Sequence, residues 1–216
     1  MNGIEFVPFP KLPRLSREIV ITEKIDGTNA CIRIDRYDPL LPGDRWVADE
    51  SNVIAVCKNP DGSILQMRAG SRTRWTTPED DNHGFARWAQ DQPNLFLLGA
   101  GTHFGEWWGG GIQRGYGMPK GEKHFSLFNT GRWTAKFQPE FAGQTTVPPC
   151  CGVVPELYRG VFEEEMILDA LGFLERVGSR LVKEYHPAEG IVIYHTAANQ
   201  YFKKTLKKDE SPKGIA

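Results

Sequence analysis

The segment Glu23-Lys24-Ile25-Asp26-Gly27-Thr28-Asn29 sets a primary amine between two carboxylates, next to a glycine and an amide. A lysine at a strand end, followed by a glycine turn, presents its amine beside backbone that a ligand can approach closely. At the ordinary lysine pKa of about 10.4 that amine is protonated at neutral pH and is not a nucleophile. Partial desolvation and neighbouring positive charge favour the neutral form, which can attack an electrophilic centre such as a phosphate. Alone, K-x-D-G is a weak pattern that also occurs in surface hairpins. Its weight here comes from further segments that follow it in a fixed order.

Those segments are Arg68-Ala69-Gly70-Ser71-Arg72, Phe104-Gly105-Glu106-Trp107, Phe125-Ser126-Leu127-Phe128-Asn129, Glu189-Gly190-Ile191-Val192-Ile193 and Phe202-Lys203-Lys204. Together with Lys24-Ile25-Asp26-Gly27 they resemble the motifs of the covalent nucleotidyl transferases: DNA ligases, RNA ligases and mRNA capping enzymes. The resemblance spans nearly the whole chain. Asn29, in a K-x-x-G-x-N arrangement, resembles the RNA ligase 2 group and its phage relatives. So do the lead-in Lys11-Leu12-Pro13-Arg14-Leu15 and the run Glu106-Trp107-Trp108-Gly109.

The resemblance implies an ATP-dependent polynucleotide ligase that forms a covalent lysyl-AMP on Lys24. AMP then passes to a 5′-phosphate, and a 3′-hydroxyl displaces it. RNA is the favoured substrate. Implied roles follow motif by motif: Lys24 is the nucleophile, Glu23 lines the adenine pocket and Phe128 stacks on the base. Glu106 accepts from the ribose, Arg72 contacts phosphate or sugar, and Asn29 belongs to the same nucleotide site. Glu189 and Asp26 would hold Mg²⁺ (or Mn²⁺), largely through water, because Mg²⁺ dehydrates reluctantly. Positive charge at Lys203 and the metal would favour the neutral Lys24 amine and stabilise charge building on the phosphate. The family's last motif reads K-x-K. Here Lys203-Lys204-Thr205 stands in its place, so Lys203 is preferred as the first lysine and Lys204 stays open, since alternate residues of a strand share a face.

The implied fold is α+β, a nucleotidyltransferase (ATP-grasp-like) domain of antiparallel sheets flanked by helices. Residues 1–216 are expected to form a single adenylyltransferase domain, with an extended lead-in and a basic tail carrying Lys203, Lys204, Lys207, Lys208 and Lys213. No sixth motif or OB domain can be found. That departs from typical DNA ligases and capping enzymes, and from the C-terminal domain of RNA ligase 2 itself. A partner protein or domain supplying the missing function is therefore expected.

Composition narrows the alternatives. A chain of 216 residues with 12 Phe and 6 Trp can build one sizeable core. Net charge is −1, so nucleic-acid binding is not announced by a basic balance and must come from local patches. The chain has no apolar run long enough to span a bilayer and no basic-then-apolar leader, so a cytoplasmic protein without a membrane partner is expected. Its 4 cysteines include no C-x-x-C pair, which argues for reduced thiols rather than zinc. His83, His103, His124, His186 and His195 show no metal-ligand spacing. Gly99-Ala100-Gly101 is not a dinucleotide fingerprint, and no P-loop is present. Gly109-Gly110-Gly111 with Arg114 reads first as a plain surface loop, with a phosphate contact as its second reading.

The elements that must position these groups follow from periodicity. β-branched residues and turn chemistry predict strands over 18–24, 30–36, 52–58, 63–69, 95–98, 103–107, 125–129, 190–194 and 201–206. Helices are predicted over 80–90 and 163–183, the latter from Ile167, Leu171, Leu174 and Leu181, with Gly178 as its end or bend. Pro8, Pro10 and Pro13 predict an extended entry. Two rival readings remain at this level: a minimal DNA ligase or DNA-adenylating enzyme, and a non-catalytic nucleic-acid-binding protein with the same fold.

Overall fold

The computed structural model of the chain describes residues 5–38, 51–134 and 145–207; Lys208 and Lys213 of the expected basic tail lie outside them. Residues 5–14 have no regular secondary structure, as their prolines predict. Strands β1 (Glu18–Lys24) and β2 (Thr28–Tyr37) follow, joined by Ile25-Asp26-Gly27. They do not pair with each other as a hairpin. β1 enters a four-stranded antiparallel sheet ordered β11-β1-β12-β13, formed with β11 (Glu156–Val161), β12 (Gly190–His195) and β13 (Gln200–Thr205).

β2 enters the larger sheet, ordered β10-β7-β6-β2-β4-β3. Its members are β3 (Val53–Lys58), β4 (Ile64–Gly70), β6 (Gly101–Gly109), β7 (Lys123–Leu127) and β10 (Cys151–Val153), with β5 (Trp75–Thr76) beside β4. The predicted antiparallel pairing holds except at the edge, where β10 runs parallel to β7. A short parallel pair, β8 (Trp133–Thr134) with β9 (Thr145–Thr146), stands apart.

Each sheet buries one face under a helix. In the small sheet Ile19, Ile21, Ile191 and Ile193 pack against Ala170, Leu171 and Leu174 of α2 (Glu164–Val177). In the large sheet Ala30, Ile32 and Ile34, alternate residues of β2, meet Phe85, Ala86 and Ala89 of α1 (Phe85–Gln90). A third cluster, Ile25 with Trp108, Tyr116 and Val154, joins the two sheets beneath the β1–β2 turn.

The departures from the predicted elements have local causes. Residues 95–98 are not a strand but part of a 3₁₀ turn, Pro93–Leu98. Pro93 fixes φ at its start, and Leu95 and Leu98, three apart, both point into the core. α1 begins at Phe85 rather than 80, because His83 and Gly84 both take positive φ. Asp81 still serves it from outside, accepting from the backbone N–H groups of Ala86 (2.8 Å) and Arg87 (3.0 Å). α2 stops at Val177 rather than 183. Gly178, at φ +86°, turns the chain and returns its N–H to the Leu174 carbonyl. The strands β10 and β11 were not expected from sequence.

Candidate active site

Lys24 closes β1 directly opposite Gly190 of β12. Glu189, the residue before that glycine, therefore stands beside the amine, and Lys24 Nζ donates to Glu189 Oε2 at 2.5 Å. Both side chains are mostly shielded from water. Sequence reasoning anticipated cationic neighbours around Lys24. Its direct partner is instead a carboxylate, which holds the nitrogen in an ion pair.

The next turn residues fan outward. Asp26 accepts from Arg114 Nε at 2.5 Å, and this bond, with the charge behind it, raises the Arg114 pKa above its ordinary value. Gly27 is dictated by space: a Cβ there would lie 2.5 Å from the Trp107 carbonyl oxygen and 2.9 Å from Glu106 Cγ. Its absence lets the turn press against β6. Asn29 and Glu106 are register partners across β2 and β6, and Asn29 Nδ2 donates to Glu106 Oε2 at 3.0 Å. Glu106 is 8% exposed. Burial pushes its carboxyl up to about 7, opposed by the charge of Lys24 and by hydrogen bonds from Asn29 and the Gly27 backbone, and reinforced by Glu189.

Glu23 is held by the protein itself. It is 1% exposed, accepts from the Tyr116 hydroxyl and takes the backbone N–H groups of Arg180 (2.8 Å) and Leu181 (3.3 Å). It thus ties β1 to the segment after α2. Tyr116 is correspondingly hard to ionise, through burial first and the Glu23 charge second. Phe128, just past β7, is half-buried against the cluster of Ile25, Trp108, Tyr116 and Val154. Arg72 stands exposed on the turn between β4 and β5 and is not drawn into the Lys24–Glu189 cluster.

Strand register bears on the two lysines of the last motif. Lys203 pairs with Val192, itself opposite Thr22, and Thr205 pairs with Gly190, opposite Lys24. Lys203 and Thr205 therefore share the face of Lys24. Lys204 pairs with Ile191 and lies on the face that packs against α2. Continuing the alternation reaches Lys207, which lines a cleft of about 370 Å³ together with Arg114, Ala188, Glu189 and Thr205.

Two cleft residues were under-read in the sequence. Arg114 was first taken as part of a surface loop, and Lys207 only as part of a basic tail. The spacing Lys203-x-Thr205-x-Lys207 points toward the cleft, although β13 itself ends at Thr205. The fold brings together Lys24, Asp26, Asn29, Glu106 and Glu189, with Glu23 and Phe128 in the adjoining wall.

Among the described residues no group of three or more His, Cys, Asp or Glu side chains converges in a way that could hold a metal. Asp26 and Glu189 border the site, each facing a cationic side chain. They fit a divalent cation that takes most of its ligands from phosphate oxygens and water, as Mg²⁺ does. No helix among the described residues is long and apolar enough to cross a membrane.

The RNA ligase family model matches residues 17–208. This chain belongs to the RNA ligase family. Membership accounts for the α+β nucleotidyltransferase architecture and for the order of the motifs along the chain. No curated protein matches the chain. Solved structures of Naegleria gruberi RNA ligase are similar to it. An arginine-to-alanine variant with ATP and Mn has 17% identity and a TM-score of 0.46, over 89% of this chain and 51% of that one. A glutamate-to-alanine variant with AMP and Mn has 17% identity and a TM-score of 0.46, over 88% and 50%. The enzyme with PPi has 17% identity and a TM-score of 0.44, over 88% and 50%. The chain spans about half the length of these RNA ligases.

Proposed function

We propose that this chain is an ATP-dependent RNA ligase that forms a covalent lysyl-AMP on Lys24, passes AMP to a 5′-phosphate and seals that end to a 3′-hydroxyl. The observation that carries this reading is the Lys24 Nζ–Glu189 pair, which stands beside a cleft lined by Arg114 and Lys207. Membership in the RNA ligase family supports RNA over an all-DNA substrate.

In the first step the Nζ–phosphorus bond forms as the bond from the α-phosphorus to the pyrophosphate oxygen breaks. The amine proton leaves to solvent through Glu189, whose oxygen is already 2.5 Å away. Arg114, Lys203 and Lys207 supply positive charge for the triphosphate, and preorganised charge is the main lever in phosphoryl transfer. Asp26 and Glu189 would hold Mg²⁺ or Mn²⁺, which neutralises the triphosphate when bound. Glu106 with Asn29 receives the ribose hydroxyls, and Phe128 offers a ring to the adenine. Glu23 shapes the wall of the adenine pocket from its fixed position. Arg72 is assigned to the polynucleotide end rather than to ATP, in keeping with its exposed turn. A further domain or partner completes sealing.

Incubation with α-labelled ATP and Mg²⁺ tests the proposal. An acid-stable protein label that Lys24→Ala abolishes is expected. If no label forms, or if the alanine variant labels equally, the catalytic reading is wrong and the chain is a nucleic-acid-binding relative. Preferential sealing of all-DNA nicks would overturn the choice of RNA.

A further inference from the structure

The helix α1 covers one face of the large sheet; the opposite face carries an unusual row of side chains. Phe104 lies on β6 two residues before Glu106, and so on the same face, in the middle of the sheet rather than at its edge. It is 61% exposed. Its register partner on β2 is Cys31, whose partner on β4 is Gly70, whose partner on β5 is Trp75. Trp75 is 41% exposed, and its ring overlies Gly70: a Cβ at that glycine would stand 3.2 Å from the ring and 2.8 Å from Cys31 Sγ. Phe104 thus rises on one side of Cys31, and the Trp75 ring, lying over Gly70, on the other. Three inter-strand spacings separate β6 from β5, about 14 Å, and the Trp75 ring leans back over Gly70 toward Phe104.

The next row along the same face, about 7 Å further by strand rise, is cationic. Thr102, Arg33 and Arg68 are register partners across β6, β2 and β4. Arg68 is largely buried and bonds Asp35 at 2.9 Å, whereas Arg33 is 42% exposed and bonds Asp35 (2.6 Å) and Thr102 (3.1 Å). Asp35 bonds both guanidiniums, and of the two Arg33 is the one that reaches solvent. An open cleft of about 390 Å³ is lined by Arg33, Asp35, Tyr37, Arg68, Trp75 and Thr102. In the other direction the row adjoining Phe104 is Glu106 with Asn29. The face is continuous with the adenylylation site.

Exposed aromatics on a sheet face, with guanidiniums one phosphate spacing away, are what a single polynucleotide strand needs: rings for bases and cations for the backbone. We propose that this face, through its exposed Phe104, Trp75 and Arg33, is the docking track for the single strand whose end reacts at Lys24, with bases stacking on Phe104 and Trp75 and a phosphate facing Arg33. The inference rests on the ligase reading given above and extends it to the substrate strand.

The test uses the full chain and a 5′-phosphorylated single-stranded RNA of about 12 nucleotides, followed by fluorescence anisotropy, alongside Lys24 labelling from ATP. Phe104→Ala and Trp75→Ala are each expected to weaken RNA binding about tenfold, with the label on Lys24 kept within about twofold of the parent. Phe104→Trp should retain binding, because any aromatic ring serves. Arg33→Met should weaken binding and lower the slope of log affinity against log salt by about 1. A Phe104→Ala/Trp75→Ala double variant that binds RNA as the parent does overturns the proposal, as does a parent chain that binds no RNA. Equal loss of RNA binding and Lys24 labelling also overturns it, by assigning the rings to the nucleotide pocket. A parent chain that binds RNA through these rings but never labels Lys24 sinks the ligase reading instead.

Discussion

Asn29 and Glu106 face each other across the central strands of the large sheet, and the amide of one is the carboxylate's hydrogen-bond donor at 3.0 Å. That single bond, with Lys24 nearby, does not offset the burial of Glu106, whose carboxyl stays up at about 7. Between the ordinary carboxyl value of 4.5 and about 7 the folded chain keeps a proton that the unfolded chain has released. Stability must therefore fall as pH rises through this window. Denaturant unfolding from pH 4.5 to 8 should show this loss, up to about 3 kcal/mol. Glu106→Gln should flatten the slope and be the more stable protein at pH 8. A parental slope that persists in Glu106→Gln would assign the effect elsewhere.

Glu189→Gln keeps the shape beside Lys24 but cannot accept charge. Lysyl-AMP formation is expected to drop by about 10²-fold or more, with folding intact by thermal melting. Label at the parent rate would show that the 2.5 Å pair belongs only to the resting chain.

Register separates the two lysines of β13. Lys203→Ala, on the face of Lys24, should slow labelling by about tenfold or more, while Lys204→Ala, opposite Ile191, should leave it nearly unchanged. The reverse order in a labelling time course would assign the phosphate contact to Lys204.

Tyr116→Phe removes the hydroxyl that donates to the buried Glu23 carboxylate. A hydrogen bond to a charged group contributes about 1.5–3 kcal/mol, and urea unfolding should register a loss of that order. No change in the midpoint would mean that the backbone donors of Arg180 and Leu181 suffice.

Gly27→Ala should destabilise the chain by roughly 1–3 kcal/mol and impair labelling, because the added methyl meets the Trp107 carbonyl oxygen at 2.5 Å. Calorimetry on the alanine variant, with the label measured in parallel, checks both halves.

Much of this was readable from local pattern. β1 occupies the span that β-branched residues and turn chemistry predicted, and the carboxylates of Glu106 and Glu189 gather around Lys24 from motifs far apart in sequence. What could not be read depends on long-range pairing. Residues 24 and 28 look like the two sides of a hairpin, yet only the sheet partners show that their strands diverge. Leu95 and Leu98 are apolar in a way that suits strand or turn, and the core decides between them. The ion pair of Arg114 with Asp26 joins residues 88 positions apart, so no local spacing announces it. Lys207 lies two residues past the end of β13 among tail charges, and only its place beside Glu189 and Arg114 sets it apart.

The divergence of β1 and β2 has a mechanical consequence. Lys24 belongs to the small sheet and Glu106 to the large one, and at the site the sheets are bridged covalently by the short Ile25-Asp26-Gly27 link, pinned at Ile25 in the core. On the proposed function, a nucleotide gripped at its phosphates by one sheet and at its sugar by the other would act as a removable cross-brace. Its binding would stiffen a seam otherwise held by the Ile25 cluster, and the free energy of binding would appear as resistance of both sheets to unfolding. With AMP bonded to Lys24, that brace would be anchored covalently to one sheet, rest by weaker contacts on the other, and come free only when AMP leaves.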